Sequence, residues 1–169
     1  MSVTLRPLSL ADLRALARAE PPPDVSAAVA PDALPPVFVA ERALRHLAQG
    51  KSAWWCNTFY IVRTADGMIV GSCGFKDAPL DGRVEIGYAV APACQQQGVA
   101  TGAVRELLRL AFGSGEVDEV LATIDQTNLA STRIAQKLQF VDCGMVIREN
   151  ADVVIDWRCR KASAAAYPA

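Results

Sequence analysis

Histidine and paired cysteines are scarce in this chain of 169 residues, which contains one histidine and five cysteines. The cysteines are odd in number and scattered: Cys56, Cys73, Cys94, Cys143 and Cys159. None belongs to a C-x-x-C pair, so we expect neither a disulfide framework nor a zinc site built on cysteine and histidine. A catalytic cysteine needs a neighbouring base, and the sequence places none beside these five.

A strong net charge and long apolar runs are missing too. The net charge of −1 gives no bias toward nucleic acid or a membrane surface. No apolar run reaches the roughly 18 residues of a membrane-spanning helix. The first residues lack the cationic and apolar segments of a signal peptide, so we expect a cytoplasmic location. The composition, 51% hydrophobic and 21% charged, favours one globular domain over residues 1–161, with a frayed tail at 162–169.

The first third of the chain predicts two helices separated by a stiff loop. Ser9 is a suitable N-cap for a helix that runs to about Ala19. Residues 21–36 hold six of the ten prolines and predict an irregular segment, either a linker or the wall of a binding cleft. A second amphipathic helix follows at Val37–Ala48, and we interpret its His46 as a packing or surface residue.

Turn signals and periodicity predict the sheet. Asp66-Gly67 and Asp81-Gly82 are typical of β-hairpins. A strand at Glu119–Ile124 follows a crossover, which favours parallel pairing with the strand before the crossover. The segments 141–148 and 153–160 predict a closing hairpin around Asn150.

The central stretch predicts a strand, a short loop and a helix. Alternating apolar residues indicate a strand that ends before Pro92: Val84, Ile86, Tyr88 and Val90. After the loop, apolar residues recur at helical spacing: Ala100, Ala103, Val104, Leu107, Leu108, Ala111 and Phe112. A later helix, capped by Asn128 or Thr127, carries Ala130, Ile134 and Leu138 on one face.

The turn between that strand and helix is suited to an anion. Residues 95–100 read Q-x-x-G-x-A, with Gly98 at the helix entry. A helix start exposes backbone N–H groups and the positive end of the helix dipole, and Gly98 lets a phosphate approach the main chain. The turn is neither a P-loop nor a dinucleotide fingerprint, and by itself it is equally compatible with a simple tight turn.

A longer pattern carries a family resemblance. EIGYAVAPACQQQGVATGAVRELL, followed by NLASTRIAQKLQF at Asn128 to Phe140, resembles the acetyl-CoA-binding core of the GNAT superfamily of N-acetyltransferases. The chain is most similar to the branch of ribosomal-protein N-terminal acetyltransferases, over about residues 70–146. The resemblance implies an α/β (α+β) fold with a mixed, mostly antiparallel sheet that is split into a V around the cofactor and flanked by helices. It also implies transfer of an acetyl group from acetyl-CoA to a primary amine, by direct attack in a ternary complex.

The resemblance assigns a cofactor-binding set. It consists of the end of the central strand, the turn, the helix start and the cap of the later helix: Val90, Gln95, Gln97, Gly98, Val99, Ala100, Thr101 and Asn128. The backbone N–H of Val90 is expected to point at the thioester oxygen, where one such donor is worth about 3 kcal/mol of barrier. Relatives commonly have arginine or glutamine at the position of Gln95, which keeps a hydrogen-bond donor but contributes no charge.

Two catalytic residues follow from the same resemblance. Glu85 matches a glutamate that often acts as general base, although a glutamate on a strand is more often a solvated residue. Many relatives place a tyrosine where this chain has Ala135, so the departing sulfur is assigned Ser131, with Tyr88 or water as alternatives. A coenzyme thiol needs little protonation to leave near neutral pH.

Several questions stay open at this stage. Gln139 stands where the family usually has a helix-ending glycine, which implies either about 1 kcal/mol of strain or a different helix exit. The amine acceptor is a small molecule or a protein N-terminus, and a homodimer is left open. We expect no metal, nucleic acid or membrane partner. A non-catalytic acyl-CoA-binding or sensing module is the alternative function.

Overall fold

A computed structural model describes residues 2–148 and 152–161 of the chain. These residues form two compact units. The first contains the residues up to Ala78 together with Gly87–Leu107, and the second contains Pro79–Ile86 and the residues from Leu108 onward. The expected turn at Asn150 and the expected tail at 162–169 lie outside the described residues. In the ranges described, no helix has the length and apolar character needed to cross a bilayer.

The first unit begins with a strand, three helices and two further strands: β1 (Val3–Pro7), α1 (Leu10–Leu16), α2 (Val37–Ala48), α3 (Ala53–Cys56), β2 (Thr58–Arg63) and β3 (Ile69–Phe75). Strands β1, β2 and β3 pair in antiparallel order. Their central side chains form the core, with Ile61, Ile69 and Val70 fully buried. The bounds of α2 confirm the predicted helix, and Gly67 with φ +71° confirms the turn between β2 and β3.

Helix α1 is shorter than the sequence predicts. Ser9 caps it as expected, but regular helix ends at Leu16 and not near Ala19. Ala19 adopts a left-handed conformation with φ +56°, and the N–H of Glu20 then bonds back to the carbonyl of Ala15 at 2.9 Å. This bonding closes the helix before the prolines are reached, so the prolines follow the stop and do not cause it.

The central strand β4 (Arg83–Val90) starts in the second unit and ends in the first. The turn before it is the predicted Asp-Gly turn, since Asp81 and Gly82 both have positive φ. After β4 come a short 3₁₀ helix, Pro92–Cys94, and the long helix α4 (Val99–Gly113). The expected inner face of α4 is mostly buried: Ala103, Val104, Leu107, Leu108, Ala111 and Phe112.

The second unit continues with a strand, a helix and two strands: β5 (Glu119–Asp125), α5 (Leu129–Lys137), β6 (Val141–Ile147) and β7 (Val153–Arg160). β4 and β5 pair in parallel, as the crossover predicts, whereas β7 is antiparallel to both β5 and β6. The strand order across the described residues is β1-β2-β3-β4-β5-β7-β6. This order confirms a mixed, mostly antiparallel seven-stranded sheet with flanking helices.

The buried face of α5 differs from the predicted one. Ala135 and Leu138 are 3% and 0% exposed, whereas Ala130 is exposed and Ile134 only partly covered. The first turn of the helix projects from the core, because Leu129 is also 62% exposed. Packing therefore engages only the later part of the helix.

Candidate active site

The loop that leaves β4 is held by side-chain amides. The Nε2 of Gln95 donates to the carbonyl of Val90 at 3.1 Å, and the Nε2 of Gln97 donates to the carbonyl of Ala93 at the same distance. These bonds tie the polar loop to the end of the strand. Both glutamines are exposed, so each amide also borders solvent.

The start of α4 has the conformation that anion binding requires. Gly98 has φ +80°, and its carbonyl accepts a bond from the N–H of Gly102 at 3.0 Å, so the helix begins here. Residues 95–98 are exposed, whereas the side chain of Val99 is 1% exposed and anchors the first turn. The N–H groups of a first helical turn have no partner within the helix. The glycine leaves the approach to them open, and this arrangement fits the pyrophosphate of coenzyme A.

The end of β4 lies tightly against β3. A methyl group at Gly71 would overlap the carbonyl oxygen of Ala89 and come within 3.0 Å of the Cα of Val90. The N–H of Ala91 donates to the carbonyl of Val70 at 2.9 Å just beyond this point. Glycine at 71 therefore sets the position of the strand end at which Val90 stands.

Glu85 lies in a polar cluster of the second unit. Its Oε1 accepts a short hydrogen bond from the hydroxyl of Thr123 and an ion-paired bond from Arg148 at 3.0 Å. Arg148 also donates to the hydroxyl of Thr123. The Glu85 side chain is 26% exposed, so the carboxylate is half-buried.

The cluster has a chemical consequence. The guanidinium of Arg148 orients the carboxylate of Glu85 through this ion pair. Sequence reasoning missed Thr123 and Arg148, which are 38 and 63 residues from Glu85. No short motif marks either residue, so no signal in one sequence was available to find them.

Asn128 is the N-cap of α5, as predicted. Its Oδ1 accepts the backbone N–H of Ser131 at 3.0 Å. Just before it, Asp125 accepts bonds from the hydroxyl and the N–H of Thr127, and these bonds hold the pKa of Asp125 below its ordinary value. The cap thus brings Asn128 and Ser131 together. It uses the backbone N–H of Ser131 and not the hydroxyl.

The chain matches a known protein family over most of its length. The family model described as the acetyltransferase (GNAT) domain matches residues 2–141. The chain belongs to the GNAT acetyltransferase family. This result confirms the predicted GNAT family over most of the chain, including the turn at Gly98.

Relatives of the GNAT chain agree with this assignment. An N-acetyltransferase named p20 from Bacillus licheniformis is 29% identical over 91 residues, a match that covers 53% of this chain and 51% of that protein. The chain therefore aligns with about half the length of this curated relative.

Two solved structures share the fold. The aminoglycoside acetyltransferase AAC(6')-Ib in complex with coenzyme A superposes with a TM-score of 0.69 at 19% identity, over 98% of both chains. A chimera of the spermidine N-acetyltransferase SpeG from Vibrio cholerae and hSSAT gives a TM-score of 0.70 at 14% identity, over 99% of this chain and 100% of that one. At these identities the likeness shows the fold.

Proposed function

We propose that this GNAT chain transfers the acetyl group of acetyl-CoA to a primary amine by direct attack in a ternary complex. The observation that carries the proposal is the exposed turn at Gly98, which combines the Q-x-x-G-x-A motif with a left-handed glycine and a free helix start. Acetyl-CoA supplies an activated thioester, and the residues of the chain bind it, orient it and handle protons.

The anchoring role falls to the loop and the first turn of α4. We assign the pyrophosphate to the backbone N–H groups from Gln97 to Thr101, which include Gly98, Val99 and Ala100. Gln95 adds an amide donor at the rim of this turn. The backbone of Val90 is assigned to the thioester oxygen, and Asn128 to the pantetheine arm.

Binding is tested by thermal stability with a matched glycine pair. A ligand at 100 times its Kd adds about 2.7 kcal/mol to the free energy of unfolding, so acetyl-CoA should raise the Tm of the wild type by several degrees. Gly98→Val should abolish this rise. Gly67→Val is the control, because Gly67 has a similar φ of +71° and open space around it, but lies in the β2–β3 turn. If the rise in Tm with acetyl-CoA is lost to the same extent in both variants, or is absent in the wild type, the assignment is wrong.

Proton removal from the amine is assigned to Glu85. An attacking amine must first lose the proton of its ammonium form. A carboxylate at this position accepts a proton directly or through one water. Glu85→Gln should therefore lower turnover by roughly 100-fold without a change in acetyl-CoA affinity.

Departure of the thiolate is assigned to Ser131. Ser131 is half-buried on the first turn of α5. A hydrogen bond to sulfur suffices, because a coenzyme thiol has a pKa near 8.5. Tyr88 and water are the alternatives for this step.

The acceptor is proposed as a class and not as one compound. The likeness to the ribosomal-protein branch favours a protein N-terminus, and the solved structures of the same fold add polyamine and aminoglycoside amines. In the first unit, the proline-rich segment lines a cavity of about 580 Å³ whose walls, between Leu16 and Val37, are apolar except for Glu20. This cavity favours the interpretation of the segment as the wall of a binding cleft over that of a linker. We therefore assign acceptor selectivity to this segment.

An amine screen separates the enzyme from its alternative. Release of free thiol from acetyl-CoA is measured with polyamines, aminoglycosides and peptides that have a free N-terminus, and products are identified by mass spectrometry. Turnover with any of these classes supports the transferase. Acetyl-CoA binding without turnover across the panel identifies the non-catalytic acyl-CoA-binding module. The cytoplasmic location and the homodimer stay predictions.

A further inference from the structure

Three metal-binding side chains meet in the first unit, away from the turn at Gly98. They are His46 from α2, Cys56 at the end of α3 and Asp77 just after β3, and their ligand atoms all lie within 4.8 Å of one another. The Nδ1 of His46 is 3.7 Å from Oδ1 of Asp77, and the Sγ of Cys56 is 3.9 Å from the same oxygen. The convergence joins residues from three separate elements.

His46 enters this cluster with an unused ring nitrogen. Its Nδ1 is buried and has no hydrogen-bond partner among the described residues. A buried polar atom without a partner costs about 1–3 kcal/mol. A metal ion bound at this nitrogen would supply the missing partner.

Cys56 and Asp77 complete the donor set. Cys56 is 3% exposed, and burial, followed by the charge of Asp77, raises the pKa of its thiol. Burial also acts to raise the pKa of Asp77, but hydrogen bonds from Lys51 and from the N–H of Ala78 outweigh it and hold this pKa below its ordinary value. The Asp77 side chain is 48% exposed, which gives an ion a path from solvent.

We propose that His46, Cys56 and Asp77 form a site for a divalent transition metal of the zinc class, with water as a fourth ligand. Imidazole nitrogen, thiolate sulfur and carboxylate oxygen are the donors that zinc uses. In a tetrahedral zinc site the expected separations are about 3.3 Å for N···O and about 3.5 Å for S···O. The observed 3.7 and 3.9 Å exceed these values by about 0.4 Å, and no separation in the cluster exceeds 4.8 Å, so binding requires the three side chains to move closer together.

The ammonium group of Lys51 should weaken metal binding at this site. Its Nζ lies 2.7 Å from both carboxylate oxygens of Asp77, so an incoming ion competes with an ammonium that is already in place. Binding also breaks the S–H bond of Cys56: the proton leaves to solvent, and the sulfur electron pair forms the bond to the metal. The bound cluster carries a net charge of +1, because a divalent ion and Lys51 face the thiolate of Cys56 and the carboxylate of Asp77. Removal of the Lys51 charge should therefore tighten binding.

Cobalt(II) provides the test, since a cobalt–thiolate bond has a charge-transfer absorption in the near ultraviolet. The full chain is stripped with a chelator and titrated with Co²⁺. We expect this band at one cobalt per chain, release of about one proton, and loss of the band when Zn²⁺ is added. Lys51→Met should lower the Kd for cobalt at least several-fold.

Variants assign the band to the three side chains. Cys56→Ser should abolish it and His46→Gln should weaken cobalt binding by 10-fold or more, with folding checked by circular dichroism. Cys143→Ser is the control, because Cys143 is an exposed cysteine on β6 outside the cluster, and it should keep the band. Absence of the band in both the wild type and Lys51→Met at millimolar Co²⁺ overturns the proposal, whether or not Cys56→Ser folds. Loss of the band in Cys143→Ser overturns it too.

Discussion

Gln139 stores backbone strain at the end of α5. Its φ is +59°, its N–H bonds to the carbonyl of Gln136, and the N–H of Phe140 bonds to the carbonyl of Ala135 at 2.9 Å. These two bonds are those of a Schellman motif, whose left-handed position normally belongs to glycine. The helix exit that the sequence left open is thus the left-handed one, and a glutamine carries it.

Gln139→Gly should increase the free energy of unfolding by about 0.5 to 1 kcal/mol, because relief of the left-handed strain exceeds the added entropy of the unfolded chain. Urea unfolding measures the change. Gln136→Gly, at the second-last residue of the same helix, should instead lower stability by up to about 1 kcal/mol, because glycine is a poor helix former. A Gln139→Gly variant less stable than the wild type contradicts the strain argument.

Ser131→Ala should separate chemistry from structure on α5. The cap uses the backbone N–H of Ser131, so alanine leaves the cap of Asn128 intact. We expect the rate constant to fall by roughly 10- to 100-fold, about 1.4 to 2.7 kcal/mol of barrier, with unchanged acetyl-CoA affinity. Single-turnover kinetics measure this change, with Thr132→Ala as the control that should keep the rate. A wild-type rate in Ser131→Ala removes the serine from the mechanism.

Ala135 explains why this helix does not carry the tyrosine of many relatives. The residue is 3% exposed and packs in the core of the second unit. A phenol ring at this position would overpack that core. The serine therefore remains the assigned partner of the sulfur on this helix.

At the scale of elements, the approach of β3 to β4 positions the end of the central strand. Gly71→Ala would force its methyl group against the carbonyl of Ala89 and the Cα of Val90, both backbone atoms that cannot rotate away. The substitution should lower the free energy of unfolding by roughly 1–3 kcal/mol and weaken acetyl-CoA binding. Thermal unfolding with and without acetyl-CoA measures both effects.

Gly113→Ala is the matched control for Gly71→Ala. It lies at the end of α4, its added methyl group meets nothing within 4 Å, and its φ is not left-handed. Alanine there should be neutral or stabilise by about 0.5–1 kcal/mol. If both alanine variants had the same stability as the wild type, the close approach of β4 to Gly71 would not limit the size of the residue at this position.

At the scale of the whole molecule, the stability in acid depends on Glu119. This carboxylate is 9% exposed and pairs with Arg83 at 2.6 Å and Arg160 at 3.2 Å, with Arg158 at 3.9 Å. Burial acts to raise its pKa, but the hydrogen bonds from Arg160 and Arg83 outweigh that effect, so the pKa lies below the ordinary 4.5. The cluster joins β4, β5 and β7 of the second unit.

A lowered pKa stabilises the fold above the unfolded-state pKa, and this stabilisation is lost as the pH falls through the folded-state pKa. Glu119→Gln should therefore be clearly less stable than the wild type at pH 7, and the difference should shrink as the pH falls below about 4. Urea midpoints from pH 7 to 3 measure it. Glu116→Gln, an exposed carboxylate outside the cluster, should change the free energy of unfolding by less than about 0.5 kcal/mol throughout. If the stability difference between the wild type and Glu119→Gln grows as the pH falls, the predicted lowering of the pKa of Glu119 is wrong.

The sequence by itself determined the elements whose signals are local. The helix at Val37–Ala48, the turns at Asp66-Gly67 and Asp81-Gly82, and the cap at Asn128 were predictable, because periodicity, turn residues and capping act over a few neighbouring positions. The crossover favoured a parallel neighbour for β4, which the structure confirms, and the combined motifs identified the family. The roles of Glu85, Ser131 and the cofactor-binding residues stay predictions.

Only the tertiary structure decided which distant groups meet. The pairing of Glu85 with Thr123 and Arg148, and the convergence of His46, Cys56 and Asp77, join residues with no local pattern between them. The burial of Ala135 in place of Ala130 also depends on packing against other elements. Such contacts arise when separate elements close on a common core, and their free energy comes from burial and charge in the folded state and not from the propensity of neighbouring residues.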